Sequence, residues 1–338
     1  MSIINESKSG VEYLTVNSSF GSVKGFVNKD YPNVAQFLGI RFAEPPTGPL
    51  QWLPPVPKTP AGPAETIDGT AFSPSCPQWT GGPAVVYNTV CTEFNIRGET
   101  DEDCLSVSIW APEKAAKKAA EYKLPVIVWI TGGAFVIGGS TVPYQNPTPW
   151  VDSSKRHIVV CPVDANSSYR LGIFGFPGAG GLKPDEQNLG ILDQRLGLEW
   201  VHKHISSFGG DTDRITHFGQ SAGAKSVDAH LFAFPDKPLL KGAILHSGTA
   251  LLPLPPRRNT EFEHYSFVAK KLGFEGDDPL AELDFMRQQS AQTLLDAIAA
   301  HFWTREQPYL NFRPVVDGVT IFEDYEGLAK SGKFAHLV

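Results

Sequence analysis

The stretch Arg214-Ile215-Thr216-His217-Phe218-Gly219-Gln220-Ser221-Ala222-Gly223-Ala224 decides the fold. Its first five residues read as a strand, and Ala224 to Phe234 read as a helix. Between them lies Gly219-Gln220-Ser221-Ala222-Gly223. A strand-to-helix turn this sharp strains the backbone of its central residue, and glycine two before and two after leaves room for it. The Ser221 hydroxyl would then stand at the carboxyl edge of a sheet, beneath the first turn of a helix, where a nucleophile is presented. The five residues alone are a modest signal, and the strand before and helix after are the context they require.

The same alternation extends outward. Leu105 to Trp110 alternates like a strand, and Leu124 to Ile130 and His157 to Val163 are continuous apolar runs suited to buried parallel strands. Asn188 to Ile205 has helical spacing through Leu189, Leu192, Leu196 and Trp200, with Gly209-Gly210 a few residues past its end. Ala243 to His246 reads as a further strand. Strands alternating with helices predict an α/β fold: a mostly parallel central sheet with helices on both faces and ligands at the strands' carboxyl ends. Residues 12 to 42 read as short antiparallel strands with Gly21 and Gly25 as turns, and Pro45 to Pro63 as extended loop. Residues 255–312 read as a helical, substrate-covering region within a single domain spanning 1–338.

Composition narrows the function classes. A net charge of −7, a pI near 5.7 and no Lys/Arg block argue against nucleic acid as a partner. No apolar run reaches the length of a membrane span. Met1 to Gly10 is polar and lacks the basic and apolar regions of a secretory signal, so the sequence as it stands reads as cytoplasmic, or secreted if the natural N-terminus differs. Cys76, Cys91, Cys104 and Cys161 have no metal-ligand spacing and read as buried thiols. Neither a metal nor an organic cofactor is implied. Asp211-Thr212-Asp213 reads as a turn rather than a calcium site.

A serine needs a base to remove its proton and backbone donors to hold the oxyanion, each donor contributing roughly 3–4 kcal/mol. Thr131-Gly132-Gly133-Ala134-Phe135 follows the strand ending at Ile130, so a small-residue loop opens at the same sheet edge as Ser221. Its amides, with that of Ala222, are the candidate donors.

These residues carry a resemblance. Gly132-Gly133-Ala134-Phe135 and Phe218-Gly219-Gln220-Ser221-Ala222-Gly223-Ala224 resemble the type-B carboxylesterase and cholinesterase family of α/β-hydrolases. So do Phe37-Leu38-Gly39-Ile40-Arg41-Phe42-Ala43-Glu44-Pro45-Pro46, Glu102-Asp103-Cys104-Leu105, Asn188-Leu189-Gly190 with Asp193-Gln194, Phe208-Gly209-Gly210-Asp211, and Pro314-Val315-Val316-Asp317-Gly318. The resemblance implies a carboxylic ester hydrolase with Ser221 as nucleophile, an oxyanion hole from the Gly133, Ala134 and Ala222 amides, and a small-molecule ester as substrate. It also implies a disulfide between Cys76 and Cys104, contributing roughly 3–4 kcal/mol, with Trp79 in the loop that walls the gorge; two free thiols in a reducing compartment are the alternative.

The chain departs from the family pattern in several places. Thr131 stands where a histidine is common, Ala134 replaces a third glycine, and Gln220 replaces an acid, which weakens any preference for cationic leaving groups. The Asn-Tyr-Arg motif is altered around Asn166-Ser167-Ser168-Tyr169-Arg170. In the family the triad acid and histidine follow the Asp317-Gly318 landmark, so the resemblance implies that the sheet lacks the strands carrying both and that Ala243–His246 is an open edge. His246 is the substitute base by position, at the same edge as Ser221. His202 and His204 fall on different faces of a helix and make no ligand pair, His217 reads as packed or solvated, and His230 lies on the helix after the serine. Asp193 reads as structural. The leading expectation is therefore a serine esterase, weak or inactive as it stands. The alternatives are an adhesion-type binding member, against which the intact Gly-Gln-Ser-Ala-Gly argues, and a pseudoenzyme completed by a partner. Three Asn-x-Ser sequons begin at Asn5, Asn17 and Asn166.

Overall fold

The structure, a computed structural model, describes residues 10–62, 65–81, 85–139, 141–163, 169–251 and 258–337. Asn5, Pro63 and the altered segment 164–168, with its Asn166 sequon, lie outside the described residues.

Among the described residues nine strands form one sheet: β1 (Val11–Ser18), β2 (Gly21–Asn28), β3 (Val34–Arg41), β4 (Thr66–Asp68), β5 (Ser106–Pro112), β6 (Leu124–Ile130), β7 (Ile158–Val163), β8 (Gly210–Gln220) and β9 (Gly242–His246). Their order is β1-β2-β3-β5-β7-β6-β8-β9, with β4 beside β2. The helices are α1 (Val85–Thr89), α2 (Glu113–Lys117), α3 (Thr148–Ser154), α4 (Gly172–Gly175), α5 (Leu189–His204), α6 (Ala222–Ala233), α7 (Arg258–Lys271), α8 (Pro279–Arg287), α9 (Ala291–Thr304) and α10 (Tyr325–Lys330).

The sheet is mixed, which corrects the expectation of a mostly parallel one. The ladders β1–β2, β2–β3, β3–β5 and β5–β7 run antiparallel, and only β7-β6-β8-β9 is a continuous parallel block. Connection length sets the two extremes. Two residues, Ser19 and Phe20, join β1 to β2 and allow only a hairpin, whereas α3, α5 and α6 supply the crossovers that parallel neighbours need.

Gly25 is a second correction: it lies inside β2 opposite Leu14, not in a turn. A Cβ there would come 2.4 Å from the Phe37 ring and 2.5 Å from the Gln36 carbonyl, so glycine serves close packing of β2 on β3. Asn17, in β1, accepts a hydrogen bond from Ser22.

The main core joins the sheet to α5 and α6 through Val128, Ile130, Ile191, Leu198, Phe208, Ile215 and Val227. A smaller core on Val34, Trp110, Val151 and Val159 includes one residue of α3. A third centres on Trp52, Leu189, Tyr265, Leu283, Met286 and Leu294 and carries α7 to α9. β9 ends the sheet, and its Ile244, Leu245 and His246 are exposed. Among the described residues no helix is long and apolar enough to cross a membrane.

Candidate active site

Three parallel strands deliver three turns to one edge. β6 ends at Ile130 and enters the glycine loop, β8 ends at Gln220 and enters Ser221, and β9 ends at His246 and enters Ser247. Ser221 has φ 56° and ψ −119°, a strained conformation for a residue with a Cβ. The neighbours leave no alternative. A Cβ on Gly219 would lie 2.3 Å from the Gly223 carbonyl carbon, and one on Gly223 would lie 1.9 Å from the Ile130 oxygen. From β9, Gly248 approaches so closely that a Cβ there would lie 2.3 Å from the Ser221 carbonyl. The Ser221 amide is held by the His246 carbonyl at 2.8 Å, and the Ser221 carbonyl accepts from Lys225 at 3.0 Å, starting α6.

The glycine loop packs directly on this turn. A Cβ on Gly132 would meet the Gln220 carbonyl at 2.6 Å and the Ser221 Cβ at 3.1 Å. Gly133, Ala134 and Phe135 all have positive φ (114°, 57° and 64°), and the turn is closed by Val136 and Ile137 amides donating to the Gly133 carbonyl. None of the Gly133, Ala134 or Ala222 amides donates to a described residue. Ala222 is the first residue of α6, where backbone N–H groups point out unsatisfied and the helix dipole favours negative charge.

The loop has an anchor that sequence reading missed. Gln78 accepts from the Gly138 amide at 2.8 Å and donates both to the Gly138 carbonyl (2.5 Å) and to the Cys76 carbonyl (3.0 Å). Cys76 is joined to Cys104 as a disulfide. Thr131 donates to Gln145, which also accepts from Trp129. Gln78 and Gly138 are 60 residues apart, so no local pattern could have flagged the pair. At the rim, Trp79 packs against Phe302 and Trp303 of α9 with ring centroids 4.7 and 6.4 Å away.

Deeper, Arg170 and Asp193 form a buried bidentate ion pair at 2.7 and 2.9 Å, and Asp193 also accepts the Arg170 amide. Asn188 bonds the Val315 amide and carbonyl, Asp317 and Thr320, which fixes the Pro314–Gly318 segment over the start of α5. Asp211 is engaged by the Asp213 amide and Arg214. Among the described residues no group of three or more His, Cys, Asp or Glu side chains could hold a metal.

The Ser221 hydroxyl makes no hydrogen bond to a described residue, and no histidine nitrogen reaches it. His157, His204, His230, His264 and His301 bond Ser154, Ser19, Gln194, Asn311 and Pro308. His217 is fully buried with both ring nitrogens unpartnered. His246 lies on the opposite face of the sheet from His217, with its ring edge-on to Phe218 at 4.9 Å. It meets Ser221 through backbone alone.

A sheet whose carboxyl edge presents a strained serine at a strand-to-helix turn, faced by a glycine loop, is the architecture of an α/β-hydrolase. A family profile described as the carboxylesterase family matches residues 12–337. The chain is 39% identical to chlorogenic acid esterase of Aspergillus niger over 96% of its length, covering 61% of that protein. It is 39% identical to secreted lipase 5 of Gibberella zeae over 92% of its length, covering 60%, and 33% identical to acetylcholinesterase of Electrophorus electricus over 95%, covering 49%. The chain belongs to the carboxylesterase family. It spans between about half and three-fifths of the length of these relatives.

Proposed function

We propose that the chain forms the nucleophile and oxyanion half of a carboxylic ester hydrolase. Ser221 Oγ attacks the ester carbonyl carbon, its proton passes to a base, and the Gly133, Ala134 and Ala222 amides receive the oxyanion. The C–O bond to the alcohol then breaks, the alcohol leaves with the proton, and water hydrolyses the acyl-serine by the same steps. The observation that carries this reading is a strained serine whose hydroxyl no described residue engages, packed against a loop whose Gly133 and Ala134 amides are likewise unengaged by described residues.

Substrates are small-molecule esters. The names of two relatives, an esterase and a lipase, support that class. Gln220 beside the nucleophile gives a site with no carboxylate at that position, so neutral leaving groups are preferred over cationic ones. Residues 255–312, described from 258 onward as α7 to α9 and the segment after them, cover the substrate, with the Trp79–Phe302–Trp303 cluster as the apolar rim.

The absence of a described histidine at the Ser221 hydroxyl favours a second reading, in which these 338 residues are weak or silent without a triad acid and histidine from elsewhere. Turnover of a short-chain p-nitrophenyl ester by the chain and by Ser221→Ala decides. Turnover lost in the variant establishes a serine esterase with its base inside the chain, and His246→Ala then tests the substitute base. A folded chain with no turnover establishes the second reading. Turnover equal in both removes Ser221 as the nucleophile.

A further inference from the structure

Beneath α6 lies a chain of buried side chains that neither the loop nor the nucleophile accounts for. His230 on α6 and Gln194 on α5 meet Nε2 to Oε1 at 3.1 Å. Gln194 Nε2 donates to Ser226 Oγ at 3.0 Å, and Ser226 Oγ donates to the Ala222 carbonyl at 3.0 Å. Gln194 and Ser226 have no solvent exposure, and His230 has 1%. We propose that His230, Gln194 and Ser226 are positioning residues, a one-way relay that locks the first turn of α6 and with it the Ala222 amide that faces the oxyanion.

The direction follows from the orientation of the Gln194 amide, Nε2 toward Ser226 and Oε1 toward His230, combined with donor counting. Ser226 has one proton. Because its oxygen receives the Gln194 N–H, that proton is sent to the Ala222 carbonyl. Gln194 can offer its N–H to Ser226 only while its oxygen faces His230, and that oxygen needs a donor. His230 must therefore carry its proton on Nε2. The opposite tautomer would turn the Gln194 amide over, draw the Ser226 proton to Gln194, and leave the Ala222 carbonyl without its side-chain donor. His230 Nδ1 is buried and unpartnered, the cost of holding the required tautomer. Packing fixes the ring: it stacks on Phe234 at 5.6 Å, and the Arg195 guanidinium covers the same Phe234 ring at 4.3 Å.

The network matters for chemistry because Ala222 sits between the strained serine and the helix. A donor moved by about 1 Å can cost a hundredfold in rate while leaving substrate binding alone. This catalytic consequence rests on the esterase reading above. The tautomer does not.

The test has two readouts on the full chain. First, nitrogen-15 NMR of histidine-labelled protein should show the His230 ring protonated at Nε2 and bare at Nδ1; a proton on Nδ1 overturns the relay. Second, Ser226→Ala and Gln194→Met should each lower kcat by roughly tenfold or more with KM nearly unchanged. Thr249→Ala, which removes a different tie to α6 through Asp228, should leave kcat near wild type. Relay variants that melt lower but keep wild-type kcat and KM reduce the network to ordinary core and overturn the proposal. Lack of turnover in the wild-type chain is the second reading above and bears on the missing base alone, and the His230 tautomer then decides the relay by itself.

Discussion

At the scale of single residues, the site is built by exclusion. Ser221 keeps a strained backbone because Gly219 and Gly223 let its own turn close, and Gly132 and Gly248 let two other segments approach, where no Cβ fits. Gly223→Ala is therefore expected to unfold the turn or abolish activity, since its Cβ would lie 1.9 Å from a backbone oxygen that cannot swing aside; circular dichroism and esterase assay check both. His217 gives a prediction in pH. Burial and the nearby Arg195 hold its imidazole down to about 3, and His230 beside it is likewise held neutral. The unfolded chain takes up these protons first, near pH 6.5. Stability is thus flat above that pH and falls as pH drops toward 3, by about 1.4 kcal/mol per pH unit for each imidazole. Urea unfolding between pH 7 and 5 should show a slope that His217→Phe reduces by one imidazole's share, and an unchanged slope would refute the assignment.

At the scale of elements, tertiary contact decides what periodicity leaves open. β6, β7, α5 and β9 were legible within a residue or two, because continuous apolar runs and helical spacing mark them directly. β8 is longer than its apolar centre suggests, extending back to Gly210, which pairs with Leu124 across a register shift that leaves the polar Asp211–Arg214 out of the ladder. Gly25 was misread because glycine marks a turn and a close approach with the same letter. Its test is Gly25→Ala, expected to cost about 1–3 kcal/mol as β2 and β3 are forced apart, seen as a lower midpoint in thermal unfolding. The Ser221 turn and the glycine loop could be read from sequence since each is contiguous. Gln78 with Gly138, and Gln194 with Ser226 and His230, could not, since the partners meet only in the fold. Arg170 and Asp193 show the energetic side of such pairs. Arg170→Met leaves a buried carboxylate uncompensated and should cost about 3–5 kcal/mol, read by denaturant titration.

At the scale of the whole molecule, the two edges of the sheet differ in character, one charged and one apolar. β1 pairs with β2 along its whole length, and its flank carries charge, with Glu12 tied to Lys117. β9 has an edge that no described strand pairs, together with exposed Ile244 and Leu245 on alternate faces. The isolated chain is expected to self-associate as concentration rises, and Ile244→Lys should suppress this in light scattering. Equal scattering from both proteins would mean that the edge is not the adhesive surface.

The cystine at Cys76 and Cys104 reaches further than its own loop. Gln78, two residues along, is the clasp that holds Gly138 in place, so the glycine loop is moored to a covalent bond made far from it in sequence. The edge that carries Ser221 thereby inherits the oxidation state of its surroundings. A mild reductant that leaves the sheet intact should speed hydrogen exchange at the Gly138 amide, and the serine would keep its strained turn while losing the wall it works against.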